Sequence, residues 1–387
     1  MNNILTLNNI SNHIFDVLKS DYAVSDNAQN PVGILVRSYD MHDYNLPESV
    51  LAVARAGAGV NNIPYAEYAE KGVVVFNTPG ANANAVNELV IAALLLGSRI
   101  IVPAVEWVKT LKGDAELSKK IEKGKKQFIG GELSGKKLGV IGLGAVGGHF
   151  ANIARKLHME VLGHDPYISI EAAWHLNHHI VRVKTREDIY RDCDFISLHT
   201  PLLDSTRHMI NGETISMMKD GVVILNFARD QLVDDDAMEA ALKSGKVKCY
   251  ITDFPNERTA SMEGVIAIPH LGASTEEAED NCAVMAVKEI MDYLENGNIL
   301  NSVTLPNCDM GVCNKAARIT ILHKNAPNLL SQFTTAVAKD GINISDLMNR
   351  SKGEYAYTML DLDNAVSDKL VEELCMIEGV IRVRVIK

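Results

Sequence analysis

The chain has 387 residues, enough for two or three domains that each bury a core of their own. Lys plus Arg number 38 against 49 Asp plus Glu, a net charge of −11 with no basic run, which excludes a broad nucleic-acid surface. Hydrophobic residues at 47% and charged residues at 22% are those of a globular protein rather than a disordered or fibrous one.

The N-terminus, MNNILTLNNISNHIF, has no basic residue before Lys19 and no compact apolar run, so no signal peptide is expected. The longest apolar stretch, Leu89 to Gly97, falls short of the ~18 residues that cross a bilayer. A cytoplasmic protein without membrane contact is therefore expected. Its six cysteines are dispersed, apart from Cys308 and Cys313, and none forms a Cys-x-x-Cys, which suits reduced thiols.

Short apolar runs then alternate with amphipathic stretches, the pattern of parallel strands crossed by helices. A first unit holds strands at Ile34 to Val36, Leu51 to Ala54 and Val73 to Phe76, with a helix from about Ala83 to Leu96. The Lys-, Glu- and Gly-rich segment Leu111 to Gly135 reads as a surface connection. A second unit runs from Lys137 to about Pro269, with strands predicted at 137–141, 160–164, 194–199, 221–226, 247–251 and 265–268, as in a doubly wound sheet.

A helix is predicted from about Thr275 to Leu294, and the Asn- and Cys-containing segment that follows reads as a linker over 306–316. The tail, 317–387, carries strand, helix, two strands, helix and strand, the order of a ferredoxin-like module. The expected division is 1–98 plus 284–305, then 99–283, then the tail.

Chemistry concentrates first at Gly142-Leu-Gly144-Ala-Val-Gly147, a G-x-G-x-x-G directly after a strand and before a helix. Gly142 suits the tight turn, Gly144 the approach of a pyrophosphate, and Gly147 close packing of helix on strand. Asp165 ends the next strand, where an acid accepts from the ribose hydroxyls and repels a 2′-phosphate, so NAD is expected rather than NADP. Three further polar residues, Arg229, Glu257 and His270, follow later strands of the same sheet, where ligands of such sheets collect. Oxidising an alcohol needs a base, a cation for the substrate oxygens and an acid that orients the base, roles that His, Arg and Glu fit. His175, His178 and His179 are not joined by a Cys or carboxylate that completes a metal set, so no metal is expected.

The glycine motif, His199-Thr-Pro-Leu, Asn226-Phe-Ala-Arg229 and Pro269-His270-Leu-Gly-Ala-Ser-Thr together resemble the D-isomer-specific 2-hydroxyacid dehydrogenases over nearly all of the first 300 residues. The resemblance implies a Rossmann unit beside a flavodoxin-like α/β substrate unit. It implies catalysis by Arg229, Glu257 and His270, with Ala145 and Val146 on the pyrophosphate. Thr200, Pro201, Phe227, Ala228, Gly272 and Ala273 would line the cofactor, and Asp253 would meet the nicotinamide amide. Two departures stand out: Asp230 replaces the Gly that usually follows the catalytic Arg, and the loop between Asp253 and Glu257 is one residue short.

Within that family, Ile34-Leu-Val-Arg37-Ser and Arg55-Ala-Gly-Ala-Gly59-Val-Asn-Asn62 resemble the D-3-phosphoglycerate dehydrogenases. Arg37 and Arg55 at strand ends, beside the Ala58-Gly59 loop, suit an anion with both phosphate and carboxylate. The tail resembles an ACT domain, and His323, Asn325 and Asn343 match positions that hold L-serine as an effector, a site implied to lie between subunits of a dimer or tetramer. Two alternatives remain open: a reductase of glyoxylate, hydroxypyruvate or 2-oxoglutarate, and a non-catalytic NAD-sensing binding protein.

Overall fold

A computed structural model describes residues 1–387 and divides them into two compact units, Met1–Asn82 with Glu276–Lys387, and Ala83–Thr275. The first opens on a five-stranded parallel sheet of β1 (Asn2–Leu7), β2 (Tyr22–Ser25), β3 (Gly33–Val36), β4 (Ala52–Arg55) and β5 (Val74–Asn77), with helix α1 (Tyr65–Glu70). The strand order β2-β1-β3-β4-β5 is the flavodoxin-like one. β1 and β2 escape the sequence reading because Asn and Thr interrupt the apolar run, although Ile4 is fully buried on an inner strand of the sheet.

The second unit begins with α2 (Ala83–Ser98), α3 (Ile101–Thr110) and α4 (Leu117–Gly124). Its sheet contains β6 (Lys137–Ile141), β7 (Glu160–His164), β8 (Val181–Arg182), β9 (Phe195–Leu198), β10 (Val222–Asn226), β11 (Val247–Thr252) and β12 (Val265–Ala267). Helices α5 (Ala145–Lys156), α6 (Ile170–Trp174), α7 (Arg186–Asp192), α8 (Gly212–Met217) and α9 (Asp235–Ser244) complete it. The order β12-β11-β10-β9-β6-β7-β8 is a doubly wound Rossmann sheet. All six predicted strands are present, and the unpredicted β8 is a two-residue edge strand, too short to show a period.

Helix α10 (Glu276–Asn296) returns the chain to the first unit. The unit boundaries thus fall at Asn82/Ala83 and Thr275/Glu276, not at 98/99 and 283/284. α2 belongs to the Rossmann unit because it packs on its sheet, so closely that a Cβ on Gly97 would meet Val223 Cγ1 at 2.7 Å. No single helix is long and apolar enough to cross a membrane.

The tail is an antiparallel sheet of β13 (Ala317–Lys324), β14 (Ile344–Lys352), β15 (Tyr355–Leu362) and β16 (Val380–Val385), with α11 (Leu329–Lys339) and α12 (Asp368–Cys375). Its order, β14-β15-β13-β16, and its βαββαβ sequence are ferredoxin-like. One sheet face carries the tail's own core of Ile319, Ile321, Phe333 and Leu360. From the other face Leu322, Tyr357 and Met359 join the core built by Ile4, Val74, Phe76 and Ile290, so the tail is not a free module.

Nor is 306–316 a free linker. Ile299 and Cys308 exchange backbone hydrogen bonds of 2.7 and 2.9 Å. Arg318, fully buried, forms a two-point ion pair with Asp361 and donates to the carbonyls of Asn296 and Gly311 at 2.9 and 2.6 Å. All six cysteines are free thiols.

Candidate active site

In the Rossmann unit, Gly142 has φ +92°, and a Cβ there would stand 2.5 Å from the His199 carbonyl oxygen, so only glycine makes this turn. A Cβ on Gly147 would overlap the Gly142 carbonyl oxygen, whereas Gly144 faces open space. α5 starts at Ala145, leaving the amides of Ala145, Val146 and Gly147 without helical partners at the mouth of the turn. Asp165 leaves β7 beside this loop, its two carboxylate oxygens accepting from the amides of Leu143 at 2.8 Å and Tyr167 at 2.9 Å. Each oxygen keeps capacity for one more donor. His199 packs behind the turn, bonded to Ser197 at 2.8 Å, and burial pushes its pKa down to about 4.

At the ends of β10, β11 and β12, Phe254 is the platform that the sequence reading missed. The Arg229 guanidinium lies 5.3 Å from the centroid of the Phe254 ring, and the His270 ring packs on it at 4.5 Å. His270 has φ +39°, held by its backbone amide, which donates to the carbonyls of Asp253 and Ile268 at 3.0 Å each. Asp253 is buried; one of its oxygens accepts from the Gly272 amide at 3.0 Å and the other has no partner. Burial raises its pKa, opposed by the Gly272 bond and by the nearby His270 and Arg229 charges. Asn226, buried at the end of β10, donates to the Arg229 carbonyl at 2.8 Å and so fixes the backbone that presents the guanidinium.

Glu257 is not joined to His270: it is exposed and makes no hydrogen bond or ion pair. Beside it Asn256 forms a tight turn, its side-chain oxygen accepting from the amides of Arg258 and Thr259. The buried carboxyl in this part of the structure is that of Asp253, whose rise in pKa the His270 and Arg229 charges oppose. Asp230 needs no glycine-like geometry, since it opens a 3-10 turn over Asp230–Leu232 and has no positive φ. Thr200, Pro201, Phe227, Ala228 and Ala273 lie in the loops after β9, β10 and β12.

In the first unit, β3 and β4 are paired in parallel with Val36 opposite Arg55, so Arg37 and Arg55 emerge from neighbouring strand ends. Arg55 Nε donates to Asn62 at 3.0 Å, and its guanidinium lies so close over Gly57 that a Cβ there would overlap it. Asn77 holds the loop from the other side through the Ala58 carbonyl at 2.6 Å. Arg37 is ion-paired with Glu279 of α10 at 2.6 Å, a partner that the sequence spacing could not reveal.

The model of the D-isomer specific 2-hydroxyacid dehydrogenase NAD binding domain matches residues 92–272. A D-3-phosphoglycerate dehydrogenase of Haemophilus influenzae is 31% identical over 354 residues, 87% of this chain and 81% of that protein. The chain belongs to the D-isomer specific 2-hydroxyacid dehydrogenases. A D-3-phosphoglycerate dehydrogenase of Methanocaldococcus jannaschii is 34% identical over 321 residues, 81% of this chain but only 58% of that longer protein. The NAD+-bound 3-phosphoglycerate dehydrogenase of Entamoeba histolytica superposes with a TM-score of 0.61 at 28% identity, over 78% of this chain and 98% of that one.

The cofactor of this family member is NAD. The residues present fit it: Gly142 and Gly147 admit no side chain, Gly144 leaves open space at the turn, α5 offers unpaired amides, and Asp253 keeps a buried oxygen without a donor. Removing the negative charge at Asp165 is expected to narrow the preference for NAD over NADP by about ten-fold or more. Asp165→Asn is the suitable variant, because an amide oxygen still accepts from the Leu143 amide. kcat/KM measured with both cofactors checks it, and an unchanged ratio assigns selectivity elsewhere.

In the tail, the three expected effector residues do not meet within one chain. His323 is buried, with its ring nitrogens bonded to Thr358 Oγ1 at 2.9 Å and to the Lys324 carbonyl at 2.8 Å. Asn325 donates to the Gly353 carbonyl at 3.1 Å. Asn343 donates to Asp363 at 2.6 Å, and the strand register, Lys324 opposite Tyr355 and Ala317 opposite Leu362, sets it at the other end of the sheet.

Proposed function

We propose that this dehydrogenase oxidises 3-phospho-D-glycerate to 3-phosphohydroxypyruvate in the cytoplasm, the first step of L-serine biosynthesis. The observation that carries the reading is the pair of arginines at adjacent strand ends, Arg37 and Arg55, which offers two cations to a substrate with two anionic groups. His270 takes the C2 hydroxyl proton, and Arg229 binds the carboxylate and the reacting oxygen. Asp253, whose carbonyl accepts from the His270 amide, is the buried carboxyl beside His270, in the place that Glu257 was expected to take. NAD, when bound, accepts the hydride from C2.

A general 2-hydroxyacid reductase is the second reading, favoured by Glu279, which is ion-paired with Arg37. Replacing Arg37 or Arg55 by alanine is expected to raise KM for phosphohydroxypyruvate about ten-fold or more with little effect on glyoxylate. Equal effects on both substrates favour the general reductase.

We further propose that the tail is an ACT-type regulatory module that binds L-serine between two copies of the chain. Since one sheet holds His323 and Asn325 at one end and Asn343 at the other, a second copy antiparallel along the free edge β14 is the arrangement that gathers all three. A second contact between copies is supported by α3, which buries none of its residues and exposes Ile101, Val102, Val105 and Val108. L-Serine is expected to inhibit, and Asn325→Ala to weaken its binding about ten-fold. Calorimetric titration checks this, and absence of binding to the wild type removes the regulatory reading.

A further inference from the structure

The long helix α10 has a second feature unconnected with the arginines. Its outward stripe of Asn281, Val284, Met285, Lys288 and Asp292 forms one wall of a groove of about 540 Å³. Ala81, Asn298, Leu300 and Asn301 form the rest. Glu289 lines this groove, although only 9% of the residue is exposed. Oε1 accepts from Asn301 Nδ2 at 2.8 Å, and Oε2 is buried with no hydrogen-bond partner.

A buried carboxyl oxygen without a donor costs free energy that a well-packed helix has no reason to carry. Burial pushes the pKa of Glu289 up to about 8, with no charge acting against it. The charged side chains of the groove do not pair with it: Lys288 points to solvent, and Asp292 is bonded to the amides of Asn296 and Asn298 at 2.7 and 3.1 Å. The side chains facing it from the other segments, Ala81, Asn298, Leu300 and Asn301, are all neutral. What Glu289 Oε2 lacks is a partner, and a cation is the one that would also offset the burial of the ionised acid. Beside the acid, Val284, Met285 and Leu300 offer apolar surface.

We propose that this groove binds a small primary ammonium compound with a short aliphatic body, its nitrogen donating to Glu289 Oε2 and its chain lying on Val284, Met285 and Leu300. An ammonium supplies both the missing donor and the opposite charge, so Glu289 ionises as the ligand enters and gives its proton to the solvent. Alcohols of the same shape supply a donor without the charge and bind more weakly. The groove lies ten residues along α10 from Glu279, the partner of Arg37, roughly 15 Å at 1.5 Å per residue.

The test is calorimetric titration of the full chain at neutral pH with isobutylamine, and with isobutanol as the uncharged control. Running it in buffers of different ionisation heat counts the protons released. The expected result is one saturable site per chain, close to one proton released, and affinity about ten-fold above that of isobutanol. Glu289→Gln should erase both the proton release and the preference for the amine. Met285→Trp, which fills the groove without touching the acid, should abolish binding while the melting temperature stays near that of the wild type. No binding of the amine to the wild type, equal binding of amine and alcohol, or amine binding unchanged in Glu289→Gln each overturns the assignment. None of these outcomes depends on dehydrogenase turnover or on L-serine.

Discussion

Replacing His270 by alanine is expected to lower turnover by about a hundred-fold or more while NADH binds almost as before. The ring bears the effect because the loop does not hang on it: apart from the packing of Phe254 on the imidazole, the loop is held by the His270 backbone amide, through the Asp253 and Ile268 carbonyls, and by the Gly272 amide on Asp253. Removing the imidazole takes away the group that accepts the hydroxyl proton and leaves the glycine cradle untouched. One complication is steric, since φ +39° is a left-handed conformation that alanine tolerates poorly. His270→Asn separates the two effects, because asparagine accepts positive φ but is no base at neutral pH. Equal losses in both variants, with NADH fluorescence titrations close to wild type, place the effect in proton transfer. Turnover within a few-fold of wild type in either variant removes His270 from the chemistry.

The parts of this fold that were legible in the sequence are those where a local rule acts without help. The glycine motif is legible because Gly142 and Gly147 answer to backbone geometry, and the tail because each of its strands and helices shows its own period. β1 was not legible: its place inside the sheet depends on pairing with β2 and β3, while its own residues are half polar. The site was legible as a set of strand ends, since Arg55 ends a strand and Arg37, Arg229 and His270 follow strands. Its pairings were not. That Glu279 reaches Arg37 across more than 200 residues depends on a tertiary contact, and that Glu257 is exposed beside the Asn256 turn depends on the path of its loop. The same holds for the tail, whose order of elements is local but whose second sheet face is buried by residues at the opposite end of the chain.

That shared face decides what happens when the tail is disturbed. A chain cut near residue 315 would lose Leu322, Tyr357 and Met359 and lay bare the core of Ile4 and Phe76 that they share, so truncation is no test of regulation alone. The sharper perturbation is Arg318→Met. Arg318 is fully buried and Asp361 only 6% exposed, so the variant strands a carboxylate out of reach of water and leaves the Asn296, Gly311 and Met310 carbonyls without their donor. Breaking a buried pair from one side costs about 3–5 kcal/mol, and this one also ties the end of α10 to the tail sheet. The whole unit Met1–Asn82 plus Glu276–Lys387 is expected to lose stability by that amount. Both tryptophans, Trp107 and Trp174, lie in the other unit, so their fluorescence reports the Rossmann unit alone, whereas circular dichroism reports both. In urea, Arg318→Met should bring forward a transition seen by circular dichroism and leave the fluorescence transition near its wild-type midpoint. Adding Asp361→Leu removes the stranded charge and should restore part of the loss, the part due to the carboxylate and not to the three carbonyls. If Arg318→Met shifts neither signal, the ion pair does not hold the tail to the sheet of the first unit. If it shifts both equally, the two units do not unfold separately.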